Sequence, residues 1–246
     1  MKVLLHGKSS KNIEDLAKNL SFEIVSENPD VIISYGGDGT LLSSERQYPG
    51  VPKLPMRNSE VCHKCSDHED KKILQDLLQG KLQFKEYKKL HTNVYGKDLH
   101  ALNDFVVRNE DATHAIRFKI LTADFLPSDL YIGDGIVVST PFGSTGYFKS
   151  ITGETFTDGF AIALNNVVGK SGYTIYADQD ESDKTDGMDR IGFKLTRGKT
   201  LLAYDNSLET FHISEGTKLS FKLSDQIAKI YEDTSLRCPN CKVIRG

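Results

Sequence analysis

Two spacings of apolar residues alternate over the first 80 residues of the chain. Short apolar runs at Lys2–His6 and Val31–Ser34 predict strands, and the second run lacks polar alternation, as expected when both faces are covered. Apolar residues at intervals of three and four positions predict helices, with stripes at Ile13, Leu16, Ala17 and Leu20 and at Ile73, Leu74, Leu77 and Leu78. Strands that alternate with helices predict a Rossmann-like α/β domain at the N-terminus.

The spacing changes to two beyond Gly80, where apolar residues alternate with polar ones at Ile116, Phe118 and Ile120. Similar short runs recur along the rest of the chain, at Gly135–Ser139, Phe160–Leu164, Tyr173–Tyr176, Ile191–Leu195, Leu201–Tyr204 and Leu219–Leu223. No long helical stripe occurs among these runs. The pattern therefore predicts a β-rich, sandwich-like C-terminal domain that begins near Gly80 to Leu90.

Composition narrows the function classes. Thirty-one basic and 34 acidic residues give a formal charge of −3, which argues against binding to nucleic acid or a membrane surface through bulk charge. No apolar run approaches the roughly 18 to 20 residues that a membrane span needs. The apolar part of the first seven residues is too short for a signal peptide, so we expect a cytoplasmic protein.

The segment between the second strand and the next helix contains Gly36, Gly37, Asp38, Gly39 and Thr40. Glycines let a backbone approach a phosphate closely, and a helix that follows presents free N–H groups and the positive end of its dipole. A carboxylate beside such an anion site suits the handling of a cation or a hydroxyl proton. The alternative is a tight turn with an incidental aspartate. The segment is neither a Walker A loop nor a GxGxxG fingerprint.

A second polar cluster follows a predicted strand within Gly133–Tyr147. Its loop is dense in glycine and small hydroxyl residues, whose N–H and hydroxyl groups suit the phosphates and sugars of a nucleotide. The aromatic ring of Tyr147 could pack against a base. The alternative is a hairpin turn rich in glycine and serine.

The two segments together resemble the NAD kinase family. The sequence DGIVVSTPFGSTGY at Asp134–Tyr147 is close to the family pattern DGxxxSTPxGSTAY, with Gly146 in place of alanine and Phe142 in place of a small residue. Asn103 and Asp104 stand where the family has an Asn-Glu pair on a strand. Asp205 is the best match to a further family aspartate in a Ser-x-Asp-Gly setting. The ordered motifs span Gly36 to about Asp205.

The resemblance implies a two-domain fold whose last segment returns to the first domain. We therefore expect an α/β domain at residues 1–88, a β-rich NAD-binding domain at 89–225 and a returning tail at 226–246. It also implies transfer of the γ-phosphoryl group of ATP, or of polyphosphate, to the 2′-hydroxyl of the adenosine ribose of NAD, with Mg²⁺ or another divalent cation. Members are usually dimers or tetramers, so a homo-oligomer is expected.

The resemblance assigns roles to individual residues. Asp38 would be the catalytic carboxylate that orients the 2′-hydroxyl and accepts its proton. The phosphate cradle would comprise Gly36, Gly37, Gly39 and Thr40. The dinucleotide would be bound by Asn103, Asp104, Asp134, Ser144, Thr145, Gly146, Tyr147 and Asp205, with Lys149 and Ser150 as weaker candidates. The family's glycine-rich segment after the first motif is largely missing from residues 50–59, where Arg57 or Asn58 could reach the ligand.

Two alternatives to an NAD kinase stay open. A non-catalytic NAD or NADP sensor on the same fold is compatible with the lost glycines and with Asp104, which is one methylene shorter than glutamate. A lipid kinase also uses the sequence GGDGT, although the second motif argues against this class.

The cysteines occur as two CxxC pairs, which predict a structural zinc site rather than disulfides. The four thiolates would come from Cys62, Cys65, Cys238 and Cys241, with His63 and His68 as possible replacements for one of them. If the end of the chain returns to the first domain, the zinc ion would hold the tail there. Unliganded thiols or a redox pair are the alternative.

Overall fold

The computed structural model describes residues 1–56, 70–121, 129–170, 172, 174–177 and 190–232. The chain divides into two compact units. Unit 1 comprises the described residues of Met1–Tyr87 together with those from Ile227 to Glu232, and unit 2 comprises the described residues of Lys88–Gln226.

The regular elements alternate between strands and helices at first and are almost all strands afterwards. In chain order they are β1 (Lys2–His6), α1 (Glu14–Asn19), β2 (Glu23–Ile24), β3 (Val31–Tyr35), α2 (Asp38–Gln47), β4 (Lys53–Met56), α3 (Asp70–Leu78), β5 (Phe84–Val94), β6 (Lys97–Ala101), β7 (Asp104–Asn109), β8 (Ile116–Leu121), β9 (Tyr131–Gly133), β10 (Gly135–Ser139), α4 (Tyr147–Thr152), β11 (Phe160–Asn165), β12 (Thr174–Ala177), β13 (Arg190–Arg197), β14 (Thr200–Tyr204), β15 (Phe211–Ile213) and β16 (Lys218–Tyr231). Short 3-10 turns occupy Ser10–Ile13 and Gly143–Thr145.

Unit 1 contains a parallel sheet with the strand order β2-β1-β3-β4, followed by the end of β16. Each of these neighbours pairs in parallel, and the last contact joins Ile230 to Lys53. All five residues of β3 are buried, which explains why its sequence shows no polar alternation. The predicted α/β domain is confirmed.

The two faces of β3 have different chemistry. On one face Val31 and Ile33 pack with apolar residues of α1 and α3 in the core of unit 1. On the other face the hydroxyls of Ser34 and Ser44 lie 2.7 Å apart, and Ser44 belongs to α2. Lys53 forms a fully buried ion pair with Glu45 of the same helix. The helix that follows the GGDGT segment is therefore attached to the sheet partly by polar contacts.

Unit 2 is built from antiparallel strands. One sheet has the order β16-β13-β8-β9, the other has the order β12-β11-β10-β7-β14-β15, and β5 and β6 form a hairpin. A large apolar core unites both sheets, with Phe118 and Phe193 from the first and Phe105 and Phe160 from the second. The predicted β-rich, sandwich-like domain is confirmed.

Three local features differ from the sequence expectations. Helix α2 begins at Asp38, so the last three residues of the segment that was expected to precede the helix belong to it. Asn103 lies in the turn between β6 and β7 rather than on a strand, and Asp104 opens β7. The six-residue helix α4 was not predicted. It packs through Phe148 against Val137, Ala161 and Ala163 of the second sheet.

Candidate functional site

The GGDGT segment is a tight connection between β3 and α2. The N–H of Gly36 donates to the carbonyl of Met56 at 2.7 Å, which anchors the segment to β4. The N–H groups of Thr40 and Leu41 both donate to the carbonyl of Gly37, at 2.9 and 3.3 Å, and so close the first helical turn. Asp38 occupies the first position of α2 and is exposed. A ten-residue helix therefore begins directly beside an exposed carboxylate.

Two glycines of this segment have different surroundings. A Cβ on Gly36 would lie 2.3 Å from the hydroxyl of Thr40, so the close approach of Thr40 accounts for that glycine. A Cβ on Gly37 would meet nothing within 4 Å, and φ of −94° at Gly37 is open to any residue. The space in front of Gly37 is open among the described residues, as a backbone that approaches a phosphate requires.

His6 contacts the same turn through Ser43. The sequence did not predict this contact. The Nε2 of His6 lies 2.7 Å from the hydroxyl of Ser43, which donates at 3.0 Å to the carbonyl of Thr40. Burial, followed by the charge of Arg46, lowers the pKa of His6 below its ordinary value. The available signal was the position of His6 at the carboxyl end of β1, beside β3 in a parallel sheet.

In unit 2 the turn before β7 is locked against the loop of the second motif. The hydroxyl of Thr140 donates to the carbonyl of Leu102 at 2.6 Å, and its N–H donates to the carbonyl of Asn103 at 2.9 Å. A Cβ on Gly143 would lie only 2.2 Å from the carbonyl oxygen of Asn103. The side-chain oxygen of Asn103 is buried and has no hydrogen-bond partner within the described part of the chain.

The remaining residues of the second motif divide into internal and exposed groups. Ser144 is buried, and its hydroxyl donates to the carbonyls of Pro141 and Phe156 at 2.8 and 3.2 Å. Its predicted contact with the dinucleotide therefore competes with bonds inside the loop. Exposed residues follow at the start of α4, namely Thr145, Gly146, Tyr147, Lys149 and Ser150. The hydroxyl of Tyr147 accepts a hydrogen bond from the amide of Asn165 at 3.2 Å.

Asp104 and Asp205 are neighbours whose carboxyl groups lie in different environments. The carboxylate of Asp205 accepts backbone N–H bonds from Leu102 and Asn103, at 3.0 and 2.7 Å. Asp104 is buried, and this burial, together with the nearby negative charge of Asp205, raises the pKa of Asp104 to about 7. A carboxyl group with such a pKa is partly protonated near neutral pH and can then donate a hydrogen bond.

Asp134 lies apart from these residues. It precedes β10, whereas Asp104 pairs with Ser139 at the other end of that strand. Five residues at about 3.3 Å each separate the two ends by about 16 Å. The carboxylate of Asp134 accepts hydrogen bonds from the amides of Asn109 and Asn166, at 3.3 and 3.0 Å. The structure does not bring Asp134 together with Asn103 and Asp104.

The predicted zinc ligands lie outside the described residues, as do His63, His68, Arg57 and Asn58. Within the described ranges, no group of three or more histidine, cysteine, aspartate or glutamate side chains could hold a metal ion. The zinc site therefore stays a prediction.

Curated NAD kinases resemble the chain in sequence. The NAD kinase of Staphylococcus epidermidis is 30% identical over 165 residues, which cover 62% of this chain and 56% of that protein. NAD kinase 2 of Bacillus subtilis is 28% identical over 164 residues, which cover 60% and 58%. This chain is a relative of the NAD kinases. It spans about half the length of the curated NAD kinases it matches.

Solved NAD kinase structures share the fold. An NAD kinase from Archaeoglobus fulgidus in complex with ATP matches all of both chains, with a TM-score of 0.76 and 18% identity. A yeast NADH kinase complexed with NADH matches 95% of this chain and 84% of its own, with a TM-score of 0.73 and 14% identity. No protein-family model matches the chain. Among the described residues of this NAD kinase relative, no helix has the length and apolar character to span a membrane.

Proposed function

We propose that the chain is an NAD kinase, which transfers the γ-phosphoryl group of ATP to the 2′-hydroxyl of the adenosine ribose of NAD. The observation that carries the proposal is the turn between β3 and α2. An exposed carboxylate, Asp38, opens a helix there, and no described residue fills the space before Gly37. The likeness in sequence and fold to proteins named as NAD kinases supports the same reaction.

The proposed reaction transfers one proton to Asp38 and one phosphoryl group to the 2′-hydroxyl of NAD. Asp38 accepts the proton of the 2′-hydroxyl while the new bond forms between that oxygen and the γ-phosphorus. The bond from the γ-phosphorus to its bridging oxygen breaks, and ADP leaves. Phosphoryl transfer depends mainly on positioning and charge neutralisation, which suits N–H groups at a helix start. The exposed backbone of Gly37 and Gly39 would lie against the phosphates. The N–H groups of Gly36 and Thr40 already bond to the carbonyls of Met56 and Gly37, so we assign these two residues to shaping the turn.

For the dinucleotide, we assign direct contacts to three kinds of group: a buried oxygen without a partner among the described residues, a carboxyl with a raised pKa, and exposed residues near the start of α4. These are the side-chain oxygen of Asn103, the carboxyl of Asp104 and the exposed residues Thr145, Gly146, Tyr147 and Ser150. Ser144 and Asp134 already hydrogen-bond within unit 2, so we assign them to shaping that unit.

The metals remain part of the proposal. Mg²⁺ usually takes one or two carboxylates and completes its shell with phosphate oxygens and water, and the exposed carboxylate of Asp38 suits that chemistry. When bound, the cation would neutralise charge on the transferred phosphoryl group. A cytoplasmic location and a homo-oligomer also remain predictions from the sequence.

Four cysteine thiolates at Cys62, Cys65, Cys238 and Cys241 would bind zinc. Metal analysis of protein purified in reductant should find about one zinc ion per chain, which substitution of Cys238 by serine removes. Zinc-free protein with intact thiols contradicts the site.

The test of the proposed function is a coupled assay on the purified full chain. NAD, ATP and Mg²⁺ are supplied, and NADP is detected through an NADP-specific dehydrogenase. We expect NADP that depends on the donor and is lost in the Asp38→Asn variant. Parallel reactions with polyphosphate in place of ATP define the donor.

Two outcomes overturn the proposal. A folded sample that binds NAD in calorimetry but makes no NADP with either donor indicates a sensor. Phosphorylation of diacylglycerol or a sphingoid base, without phosphorylation of NAD, indicates a lipid kinase.

A further inference from the structure

Asp205 follows β14 in a backbone conformation that few residues adopt. Its φ is +46°, in the left-handed region that aspartate and asparagine tolerate better than most side chains. Its own N–H donates to the carbonyl of Asp104 at 3.0 Å. Asp205 therefore lies beside the start of β7, the strand that pairs with β14.

The carboxylate of Asp205 gathers three consecutive backbone donors. One oxygen accepts from Leu102 at 3.0 Å, and the other accepts from Asn103 at 2.7 Å and more weakly from Asp104 at 3.4 Å. Hydrogen bonds to an ionised acceptor are about twice as strong as those between neutral groups. Asp205 therefore fixes the N–H side of the turn between β6 and β7.

The carbonyl side of the same turn is fixed by the second motif. Thr140 donates to the carbonyls of Leu102 and Asn103, and Gly143 lies against the backbone of Asn103. The backbone of the turn is thus held from both sides. What remains is the side-chain oxygen of Asn103, buried and without a partner among the described residues.

We propose that Asp205 is a positioning residue that sets Asn103 and Asp104 in place for the dinucleotide, rather than a residue that contacts it. The inference rests on the proposed function and assigns a new role within it. Asp205 acts through the backbone, because its carboxylate is engaged with N–H groups of the turn. The group that recognises the ligand is the amide of Asn103, with the carboxyl of Asp104 beside it.

The experiment compares wild type with Asp205→Asn and Asp205→Gly. Both substitutions suit the left-handed backbone and remove the charged acceptor. We expect the Kd for NAD in calorimetry, and the KM for NAD, to rise about tenfold or more in both variants. The loss of one hydrogen bond to a charged acceptor changes an equilibrium constant by about that factor. The KM for ATP should change less than about twofold. Amide hydrogen exchange at Leu102–Asp104 should accelerate.

A pH profile separates positioning from a general loss of structure. The charge of Asp205 contributes to the raised pKa of Asp104, so its removal lowers that pKa. If the carboxyl of Asp104 contacts NAD, we expect the affinity of wild type for NAD to change with the ionisation of Asp104, and the midpoint of that change to lie at lower pH in Asp205→Asn. A profile of unchanged midpoint contradicts the inference.

The control is Asp111→Asn in the same unit. Asp111 also accepts a backbone N–H, from Thr113 at 3.0 Å, but lies in an exposed loop after β7. We expect its NAD affinity to equal that of wild type. The inference is overturned if Asp205→Gly binds NAD like wild type, or if NAD and ATP binding weaken equally. A wild type that binds NAD without making NADP overturns the proposed function alone, and one that binds no NAD overturns both.

Discussion

Two polar turns of the molecule carry the predicted site residues, and they are built in opposite ways. In unit 1, the segment from Gly36 to Thr40 contains three glycines around Asp38, and no side chain caps the start of the helix. In unit 2, the turn at Asn103 is held by Thr140 and Asp205 through side-chain to backbone bonds. One turn leaves its polar groups accessible, and the other encloses nearly all of them.

This difference predicts how substitutions act. A residue exposed in the first turn can affect a ligand with little effect on the fold, because its substitution changes a solvent-facing surface. A residue in the second turn takes part in the internal structure, so its substitution changes stability and ligand binding together. Activity and unfolding should therefore be measured on the same variants.

The largest effect is expected for Asp38→Asn. Loss of a general base lowers turnover by roughly 10²- to 10⁴-fold, while an exposed site changes the free energy of unfolding by less than about 0.5 kcal/mol. The measurement is kcat in the coupled assay, together with urea unfolding. The matched control is Asp15→Asn, which removes an exposed carboxylate from the first turn of α1 and should leave kcat unchanged. Near-normal turnover of Asp38→Asn would show that this residue is not the base.

Gly143→Ala should lower both stability and NAD affinity. The new Cβ would lie 2.2 Å from the carbonyl oxygen of Asn103, and overpacking of this kind costs about 1–3 kcal/mol. Urea unfolding measures the cost. Gly146→Ala in the same loop is the control, because its nearest atom is 3.3 Å away and the family carries alanine there. Equal stability of the two variants would show that Gly143 is not tightly packed against Asn103, and the turn in unit 2 would then not differ from the turn in unit 1 in this respect.

Gly37→Ala should weaken ATP without weakening the fold. No atom lies within 4 Å of the new methyl group among the described residues, so the free energy of unfolding should change by less than about 0.5 kcal/mol. If a phosphate occupies the space, the KM for ATP rises about tenfold. A KM equal to that of wild type would mean that the open space at Gly37 is not used by the donor.

The smallest effect concerns the pH dependence of stability at Asp104. Its pKa is about 7 in the folded chain and near 3.8 when exposed, so between these values the folded state holds a proton that the unfolded state lacks. Stability from this group is therefore lost as pH rises toward 7. Thermal unfolding should show that Asp104→Asn gains a few degrees over wild type between pH 5 and 8. A difference that does not vary with pH contradicts this origin.

The sequence predicted the elements whose signal is local. The uninterrupted apolar run of β3 and the alternation of β8 led to the parallel sheet and the β-rich unit, and both are confirmed. The segment from Gly36 to Thr40 was recognised because its glycines and its aspartate directly follow a strand in the chain. Helix α4 was not predicted because its six residues contain only one apolar pair at helical spacing, Phe148 and Ile151.

The contacts around Asn103 could not be predicted from local pattern. Asp205 lies about a hundred positions away in the chain, and its left-handed backbone leaves no trace in the spacing of apolar residues. The same reason applies to His6, which reaches Ser43 only after β1 and β3 have paired. Motif matching named Asp134 and Asp205 alike, yet their carboxylates have different partners.

The pairing of Lys53 with Ile230 has a consequence for the order in which the chain is synthesised. A ribosome that has just made Lys53 must add 230 − 53 = 177 further residues before the partner strand exists. At about 5–20 residues per second this takes roughly ten seconds or more. Most of unit 2 is synthesised during that interval, but it also lacks β16, whose first part pairs with β13. The sheet that carries Asp38 and the first sheet of unit 2 therefore both wait for one late strand, β16.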